Sequence, residues 1–205
     1  MITQHITSTP VSQSSRLCAG FTLLEIVIVM LIFSIISTAA LTLLISSQNV
    51  FGSGTTIANL ENQARRIVEQ LANEIQQSSV SRLSPAPPAL PEYLDSMTYQ
   101  INIGYVNGVI QWSTPITLAF QYAAGETDDG IDNNGNGMID EGFLTRTQDG
   151  VTQYITYWVK DDGFHLSIDR NKLRIHLELE NTNNRGTIME TSVETIVELK
   201  NPSPK

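Results

Sequence analysis

A dense group of oxygen-bearing side chains lies between residues 128 and 142, where the sequence reads DDGIDNNGNGMIDEG. Ca²⁺ prefers about six to eight oxygen ligands, and short Asp and Asn side chains at alternating positions can supply them from one tight loop. When the loop is counted from Asp132, its first nine positions match the EF-hand calcium pattern, with a glycine at the sharp turn. The ligand positions of this pattern are occupied by Asp132, Asn134, Asn136, the Met138 carbonyl and Asp140. The segment therefore predicts a calcium site with a structural role.

The pattern departs from an EF-hand at its twelfth position, where Phe143 replaces the expected bidentate Glu. Glu141, Asp128 or Asp129 could supply the missing carboxylate. The five acids of the segment would repel one another without a cation, which favours calcium over the alternative of a solvated acidic loop with Asn-Gly turns. A chelator is therefore expected to lower the melting temperature of the domain that carries this loop.

No arrangement of catalytic residues is evident elsewhere in the sequence. His165 and His176 lie on strand-like segments without the spacing of a metal site. The sequence contains neither Gly-x-Ser-x-Gly nor a phosphate-binding glycine loop, and Cys18 is the only cysteine. These observations predict that the protein is not an enzyme.

A single acid interrupts the start of the longest apolar segment. Gly20-Phe21-Thr22-Leu23-Leu24-Glu25 is followed by residues 26–47, which contain no Asp, Glu, Lys or Arg. At about 1.5 Å per residue, this uncharged run makes a helix of roughly 33 Å, long enough to cross the hydrocarbon core of a membrane. An ionisable side chain beside such a span is costly in lipid, so Glu25 is expected to have a partner and a function.

The segment from Gly20 to Glu25, followed without a gap by the apolar run, resembles the processing and assembly signal of type IV pilins and of the pseudopilins of type II secretion. The resemblance implies that an inner-membrane prepilin peptidase cuts between Gly20 and Phe21 and methylates the new Phe21 amine. It also implies that Glu25 pairs with the Phe21 amine of a neighbouring subunit and thereby sets the axial register of a filament. The implied fold is pilin-like and α+β, with a long N-terminal helix packed on an antiparallel β-sheet head.

Residues 1–20 are expected to be a cleaved leader whose only strongly basic residue is Arg16. Because the apolar segment follows the cleavage position, the span would remain on the mature chain, unlike the apolar core of an ordinary secretory signal. Arg16 before the span, with Arg65 and Arg66 far beyond it, favours a cytoplasmic leader and an exported C-terminus. Cys18 would leave with the leader, so an internal disulfide is excluded in the mature protein.

The charge balance bears on the possible partners. The chain has 12 Lys and Arg residues against 21 Asp and Glu residues, and loss of Arg16 with the leader gives a mature net charge of −10. An acidic exported domain argues against nucleic acid or an anionic membrane surface as its partner.

Residues 21–47 are predicted to be the transmembrane and filament-core segment, and residues 48–84 an amphipathic continuation of the same helix. Gly52 and Gly54 mark the first place where this helix could bend, and a proline group beginning at Pro85 ends it. An apolar stripe with spacings of three and four is expected to pack on the protein's own sheet. Its members are Ile57, Leu60, Ala64, Ile67, Leu71 and Ile75.

Residues 85–205 are predicted to form a β-rich globular head, because apolar residues there recur at every second position. The expected strands are 97–103, 109–112, 116–122, 153–159, 164–168, 173–179 and 192–199. Asn107-Gly108 and Asp162-Gly163 are predicted hairpin turns, and residues 181–186 a longer loop. Alternating patterns of this kind favour an antiparallel sheet with one wet face.

Taken together, these features predict a structural subunit, a minor pilin or pseudopilin of a type IV pilus or a type II secretion pseudopilus. Its expected partners are other pilin or pseudopilin subunits, the prepilin peptidase and the inner-membrane assembly platform. Before assembly it would cross the inner membrane once, with the head in the periplasm or exterior. The alternative is a single-pass, calcium-binding recognition or adhesion protein that never polymerises, for which Glu25 would be replaceable and Gly20-Phe21 would remain uncut.

Overall fold

The computed structural model describes residues 21–85, 93–183 and 185–200. The predicted leader and the proline group at 87–91 lie outside these residues. The chain divides into two compact units after Ser47.

The first helix, α1, spans Leu23–Ile75 and begins at an N-cap formed by Thr22. The Thr22 hydroxyl accepts a hydrogen bond from the Glu25 backbone N–H at 3.2 Å, and the Thr22 carbonyl accepts from the N–H of Ile26 at 3.2 Å. These are the bonds that a Thr N-cap makes to start a helix. α1 is long and apolar enough to cross a membrane, and every residue from 21 to 47 except Ser37 is exposed.

In the second unit, the remainder of α1 buries one face. Leu60, Ala64, Ile67, Leu71 and Ile75 of the predicted stripe are buried, whereas Ile57 is 40% exposed. They belong to the same hydrophobic core as the sheet residues Tyr99, Phe164, Leu166 and Leu177. The expectation that the stripe packs on the sheet is therefore confirmed, and the amphipathic period is the reason for it.

The helix does not continue to residue 84 as predicted. It ends at Ile75, where the N–H of Ser78 donates to the Ile75 carbonyl at 2.8 Å and tightens the last turn. Ser78 and Ser79 are buried, and a short 3₁₀-helix follows at Val80–Arg82. Ser favours helix ends over helix interiors, which explains why the helix stops before the prolines.

The described part of the head contains eight strands in two sheets, and both sheets are antiparallel, as the alternating pattern predicted. The six-stranded sheet has the order β1-β4-β5-β6-β7-β8, and β2 pairs with β3 in a separate hairpin. The strands are β1 Ser96–Tyr99, β2 Asn102–Val106, β3 Val109–Trp112, β4 Ile116–Tyr122, β5 Gly142–Gln148, β6 Val151–Asp169, β7 Lys172–Thr182 and β8 Ile188–Glu198. The α+β class and the pilin-like plan are therefore confirmed.

Four of the strand predictions, 97–103, 153–159, 164–168 and 192–199, were wrong in their boundaries, and one strand was missed. The predicted strand 97–103 breaks at Gln100, whose side-chain amide donates to the Ser113 carbonyl, so its halves join different sheets. The missed strand is β5, which reaches β6 through a turn with positive φ at both Asp149 and Gly150. Asn107 and Gly108 also have positive φ, and the hairpin predicted there is present between β2 and β3.

The predicted hairpin at Asp162-Gly163 is wrong, because β6 runs through it as one strand. The pairing with β7 passes from Val159 opposite Leu179 to Phe164 opposite Leu177, so the residues between them bulge out of the ladder. A Cβ at Gly163 would lie 2.7 Å from the Lys160 carbonyl and 2.8 Å from the Glu178 carbonyl. Gly163 is therefore required by this close backbone approach and not by a turn.

Candidate functional site

The N-terminal segment of α1 presents an apolar surface with one carboxylate. Phe21 is 79% exposed, and Leu23 and Leu24 beside it are 83% and 68% exposed. Glu25 lies in the first helical turn, where the helix dipole favours a negative charge. Within the part of the chain that the structure describes, no hydrogen bond or salt bridge joins the Glu25 carboxylate to another side chain. Gly20 lies outside the described residues.

The hydroxyl groups of the apolar segment are satisfied within the helix. Ser34 donates to the Leu31 carbonyl at 2.8 Å, Thr38 to the Ser34 carbonyl at 2.8 Å and Thr42 to the Thr38 carbonyl at 2.9 Å. In lipid an unsatisfied donor costs several kcal/mol, so these bonds make the segment compatible with a hydrocarbon environment.

The acidic segment is a loop between β4 and β5 that is closed at its base. Tyr122 pairs with Gly142 in the sheet, and the N–H of Ala123 donates to the Glu141 carbonyl at 2.9 Å. The Glu126 carboxylate is buried and accepts from the Asn134 N–H at 2.7 Å. These bonds hold the loop in one conformation.

The first half of the predicted calcium pattern faces the backbone of its own loop. The Asp132 carboxylate accepts hydrogen bonds from the N–H groups of Gly135 and Gly137 at 2.6 and 2.8 Å, and these bonds hold its pKa below the usual value, with Gly137 the largest cause. The side-chain carbonyl of Asn134 accepts from the N–H of Asn136 at 3.0 Å. The side-chain carbonyl of Asn136 accepts from the N–H of Met138 at 2.8 Å. These oxygens therefore act as turn acceptors in the described loop.

The second half of the pattern brings acids into the protein. Asp140 and Glu141 are 2% and 3% exposed, and each has one carboxylate oxygen with no hydrogen-bond partner among the described residues. The other Glu141 oxygen accepts from the side-chain amides of Asn134 and Asn136 at 2.8 and 2.6 Å. The other Asp140 oxygen accepts from the N–H of Gly130 at 2.6 Å. A buried oxygen without a partner is costly, so both acids demand an explanation.

A group of three carboxylates spans the loop and the β6 bulge. Single oxygens of Asp128, Asp140 and Asp161 all lie within 4.8 Å of one another. The Tyr122 hydroxyl donates to the Asp161 carboxylate at 3.2 Å. Burial raises the pKa of Asp161, with further increases from the nearby Asp162 and Asp128 charges. Burial, together with the Asp161 and Asp128 charges, also raises the pKa of Tyr122 to about 12.

Sequence spacing placed Asp128 and Asp140 in the candidate site but missed Asp161 and Tyr122. Asp161 reaches the loop because the bulge turns it out of the β6 ladder. In the sequence, the only indication of its role was that an acidic residue, Asp162, and a glycine follow it. The three-carboxylate group includes none of the remaining predicted ligands, which are Asp132, Asn134, Asn136, Met138 and Glu141.

Comparison with known families assigns the N-terminal segment. The model of the prokaryotic N-terminal methylation motif matches residues 15–41. No curated protein and no solved structure matches the chain. The motif is the hallmark of type IV pilins and pseudopilins, so the recognition drawn from Gly20 to Glu25 is confirmed for this segment. The match covers the N-terminal segment alone and, with a helix long and apolar enough to span a membrane, supports a pilin-like precursor.

Proposed function

We propose that this protein is a minor pilin or pseudopilin, a structural subunit that is inserted from the inner membrane into a helical filament of a type IV pilus or a type II secretion pseudopilus. The observation that carries the proposal is the methylation motif at residues 15–41, which overlaps an apolar segment, residues 21–47, whose single acid is Glu25. In this proposal the prepilin peptidase cuts between Gly20 and Phe21 and methylates the new amine.

The exposed apolar surface of residues 21–47 can be covered first by lipid and then by neighbouring subunits. An apolar helix that is exposed on all sides in the isolated chain must be covered by lipid or by other protein. The membrane covers it before assembly, and neighbouring subunits cover it in the filament core. The same side chains thus serve as the anchor and as the assembly surface.

Glu25 supplies the register of assembly in this account. A carboxylate in a dry core is strongly unfavourable unless it is paired. Cleavage after Gly20 would create a positively charged amine on Phe21, at the same end of the helix as Glu25. A Phe21 amine of a neighbouring subunit that meets Glu25 neutralises both charges, and other axial offsets leave both groups buried without a partner.

Two sequence features favour a minor pilin or pseudopilin over a major pilin. Many major pilins carry a helix-breaking proline about twenty residues into the mature helix, whereas this position is Thr42 and α1 passes through it unbroken. Many major pilins also close a C-terminal loop with a disulfide, whereas the only cysteine here is Cys18, before the cleavage position.

The proposal is tested with Glu25→Gln and Glu25→Ala in the full-length chain, expressed in cells that carry the assembly machinery. Glu25→Gln keeps the size of the side chain and removes its charge, so it separates charge pairing from packing. Glu61→Ala is the matched control, because it removes a partly exposed acid, with a side chain 45% exposed, farther along the same helix. Leader cleavage is followed by the intact mass of the membrane form, and incorporation by the amount of protein in isolated filaments.

We expect all three variants to be cleaved normally, because cleavage depends on Gly20 and Phe21. Both Glu25 variants should enter filaments at least about tenfold less well than the wild type, since an unpaired buried charge costs more than 1.4 kcal/mol. The Glu61→Ala protein should be incorporated normally. Normal incorporation of Glu25→Gln would overturn the role given to this carboxylate.

A further inference from the structure

We propose that Asp128, Asp140 and Asp161 bind one calcium ion that ties the acidic loop to the β6 bulge. This site differs from the one expected from the loop sequence alone, because Asp161 comes from a strand and Asp132 is not included. The proposal concerns only the head and does not depend on filament assembly.

The three carboxylates lie close enough together to share one cation. One oxygen from each lies within 4.8 Å of the other two, so a single ion placed between them can contact all three. The three residues come from the start of the loop, the end of the loop and the neighbouring strand. A bound ion therefore links segments that are distant in the sequence.

The buried Asp140 carboxylate provides a second, independent indication of a ligand. The residue is 2% exposed, and Oδ2 accepts the Gly130 N–H while Oδ1 has no hydrogen-bond partner among the described residues. An orphaned carboxylate oxygen in this setting is costly unless a cation or an ordered water meets it. A cation shared with Asp128 and Asp161 removes that cost.

Within the described residues, the charge of the group is not offset by an ion pair with a basic side chain. The five salt bridges found among the described residues involve none of the three carboxylates. Asp129, Glu141 and Asp162, each next to a member of the group in the sequence, are also acidic, and the basic neighbour Lys160 pairs instead with Glu178 and Glu190. The neutral Tyr122 hydroxyl is the only side-chain donor to Asp161 in the part of the chain that the structure describes. Neutralisation must therefore come from an ion in solution.

The donor chemistry selects a hard divalent cation. All donors are oxygen atoms, and neither histidine nor cysteine belongs to the group. Oxygen sets of this kind suit Ca²⁺ and Mg²⁺, and the irregular arrangement with water access at the exposed Asp128 suits the flexible coordination of Ca²⁺ better than the strict octahedron of Mg²⁺. Water and second carboxylate oxygens would complete the coordination shell.

The test uses full-length protein in detergent micelles, freed of metal with a chelator and then titrated calorimetrically with CaCl₂ and, separately, with MgCl₂. The variant is Asp161→Asn, and the matched control is Asp162→Asn, which removes the same charge from the adjacent position. Asp162 has a φ of 51°, a conformation that Asn tolerates well. Asp132→Asn distinguishes the three-carboxylate site from the loop pattern.

We expect the wild type to bind one Ca²⁺ with a Kd of about 1 mM or tighter, and Mg²⁺ more weakly. Asp161→Asn should weaken calcium binding at least about tenfold, whereas Asp162→Asn should stay within about threefold of the wild type, because calcium affinity follows the number of charged ligands. In chelator, Asp161→Asn should melt at or above the wild-type temperature, because it relieves repulsion, and calcium should no longer raise its melting temperature.

Three results would overturn the proposal. The first is a wild-type titration that does not saturate by about 10 mM Ca²⁺. The second is wild-type affinity in Asp161→Asn. The third is loss of binding in Asp132→Asn with binding retained in Asp161→Asn, which would assign the ion to the loop pattern instead.

Discussion

The ion pair between Glu74 and Arg146 should be the most sensitive polar contact between α1 and the sheet. Glu74 lies in the last turn of α1 and Arg146 on β5. The Arg146 guanidinium donates to Glu74 Oε1 from Nη2 at 2.7 Å and from Nε at 2.9 Å. The two side chains are only 17% and 18% exposed. Burial and the Glu74 carboxylate also raise the pKa of the adjacent, fully buried Tyr99.

Replacement of Arg146 by Met should lower the free energy of unfolding of the head by about 2–3 kcal/mol. Removing one partner of a buried pair costs about 3–5 kcal/mol, whereas an exposed pair contributes about 0–1 kcal/mol. Because both side chains of the Glu74–Arg146 pair are less than one fifth exposed, the loss of stability on removing one partner should be closer to that of a buried pair than to that of an exposed pair. For a unit of this size about 2–4 °C corresponds to 1 kcal/mol, so we expect a fall in melting temperature of about 4–12 °C.

The assay is thermal unfolding of the full-length protein in detergent micelles, followed by the fluorescence of Trp112 and Trp158, which both lie in the head. The matched control is Arg65→Met, because Arg65 pairs with Glu61 on the same helix at the same 2.7 Å but with side chains 60% and 45% exposed. Such an exposed pair contributes about 0.3–0.5 kcal/mol, so the control should melt within about 2 °C of the wild type.

The double variant with Glu74→Gln measures the interaction itself. We expect it to be less destabilised than the sum of the two single variants by about 1–3 kcal/mol, since the second substitution removes a charge that the first left unpaired. Arg146→Met that melts no lower than Arg65→Met, or strictly additive single variants, would refute the role given to this pair.

Two further predictions concern the space around two glycines and the ionisation of a buried glutamate. Gly163→Ala should destabilise the head by about 1–3 kcal/mol, since its Cβ would lie 2.7 and 2.8 Å from two backbone carbonyls. Gly52→Ala, at a helical position with nothing within 4 Å, should stabilise by up to about 1 kcal/mol, and thermal unfolding of both variants checks the contrast. Burial first, and then repulsion by Glu190, raises the pKa of Glu180 to about 7 from 4.5. The other charged groups around it are Lys160, Glu141 and Glu178. A carboxyl whose pKa is raised in the folded state contributes stability below pH 4.5, and this contribution is lost as the pH rises through 7. The free energy of unfolding of Glu180→Gln should therefore rise by about 1–3 kcal/mol relative to that of the wild type between pH 4.5 and 8. Melting curves of both proteins in chelator across this range test it, and a constant difference would contradict it.

Local patterns in the sequence predicted the helix and strands that bury one face and expose the other. The spacing of Leu60, Leu71 and Ile75 identified the buried stripe of α1, and strict alternation identified β4 with its observed ends. Asn107-Gly108 identified the β2–β3 hairpin, because both residues tolerate positive φ.

The missed features depend on contacts between distant segments. β5, with the sequence GFLTRTQ, lacks a clear alternation and becomes a strand because β4 and β6 pair with both of its edges. Asp162-Gly163 has the sequence of a hairpin turn, but the close approach of the Glu178 carbonyl makes it part of a bulge. The meeting of Asp128 with Asp161 follows from that bulge, so no local spacing could have revealed it.

The most direct test of the central claim is the N-terminus of the protein in isolated filaments and in the membrane. Cyanogen bromide cleaves after methionine, so the processed chain gives a peptide of residues 21–30, and the uncut chain gives one of residues 2–30. We predict that mass spectrometry of sheared surface fibres, or of the membrane and periplasm for a pseudopilus, finds the peptide from Phe21 to Met30 with one added methyl group. A chain that remains uncut through Gly20 in every fraction would contradict the account and favour an anchored protein that does not polymerise.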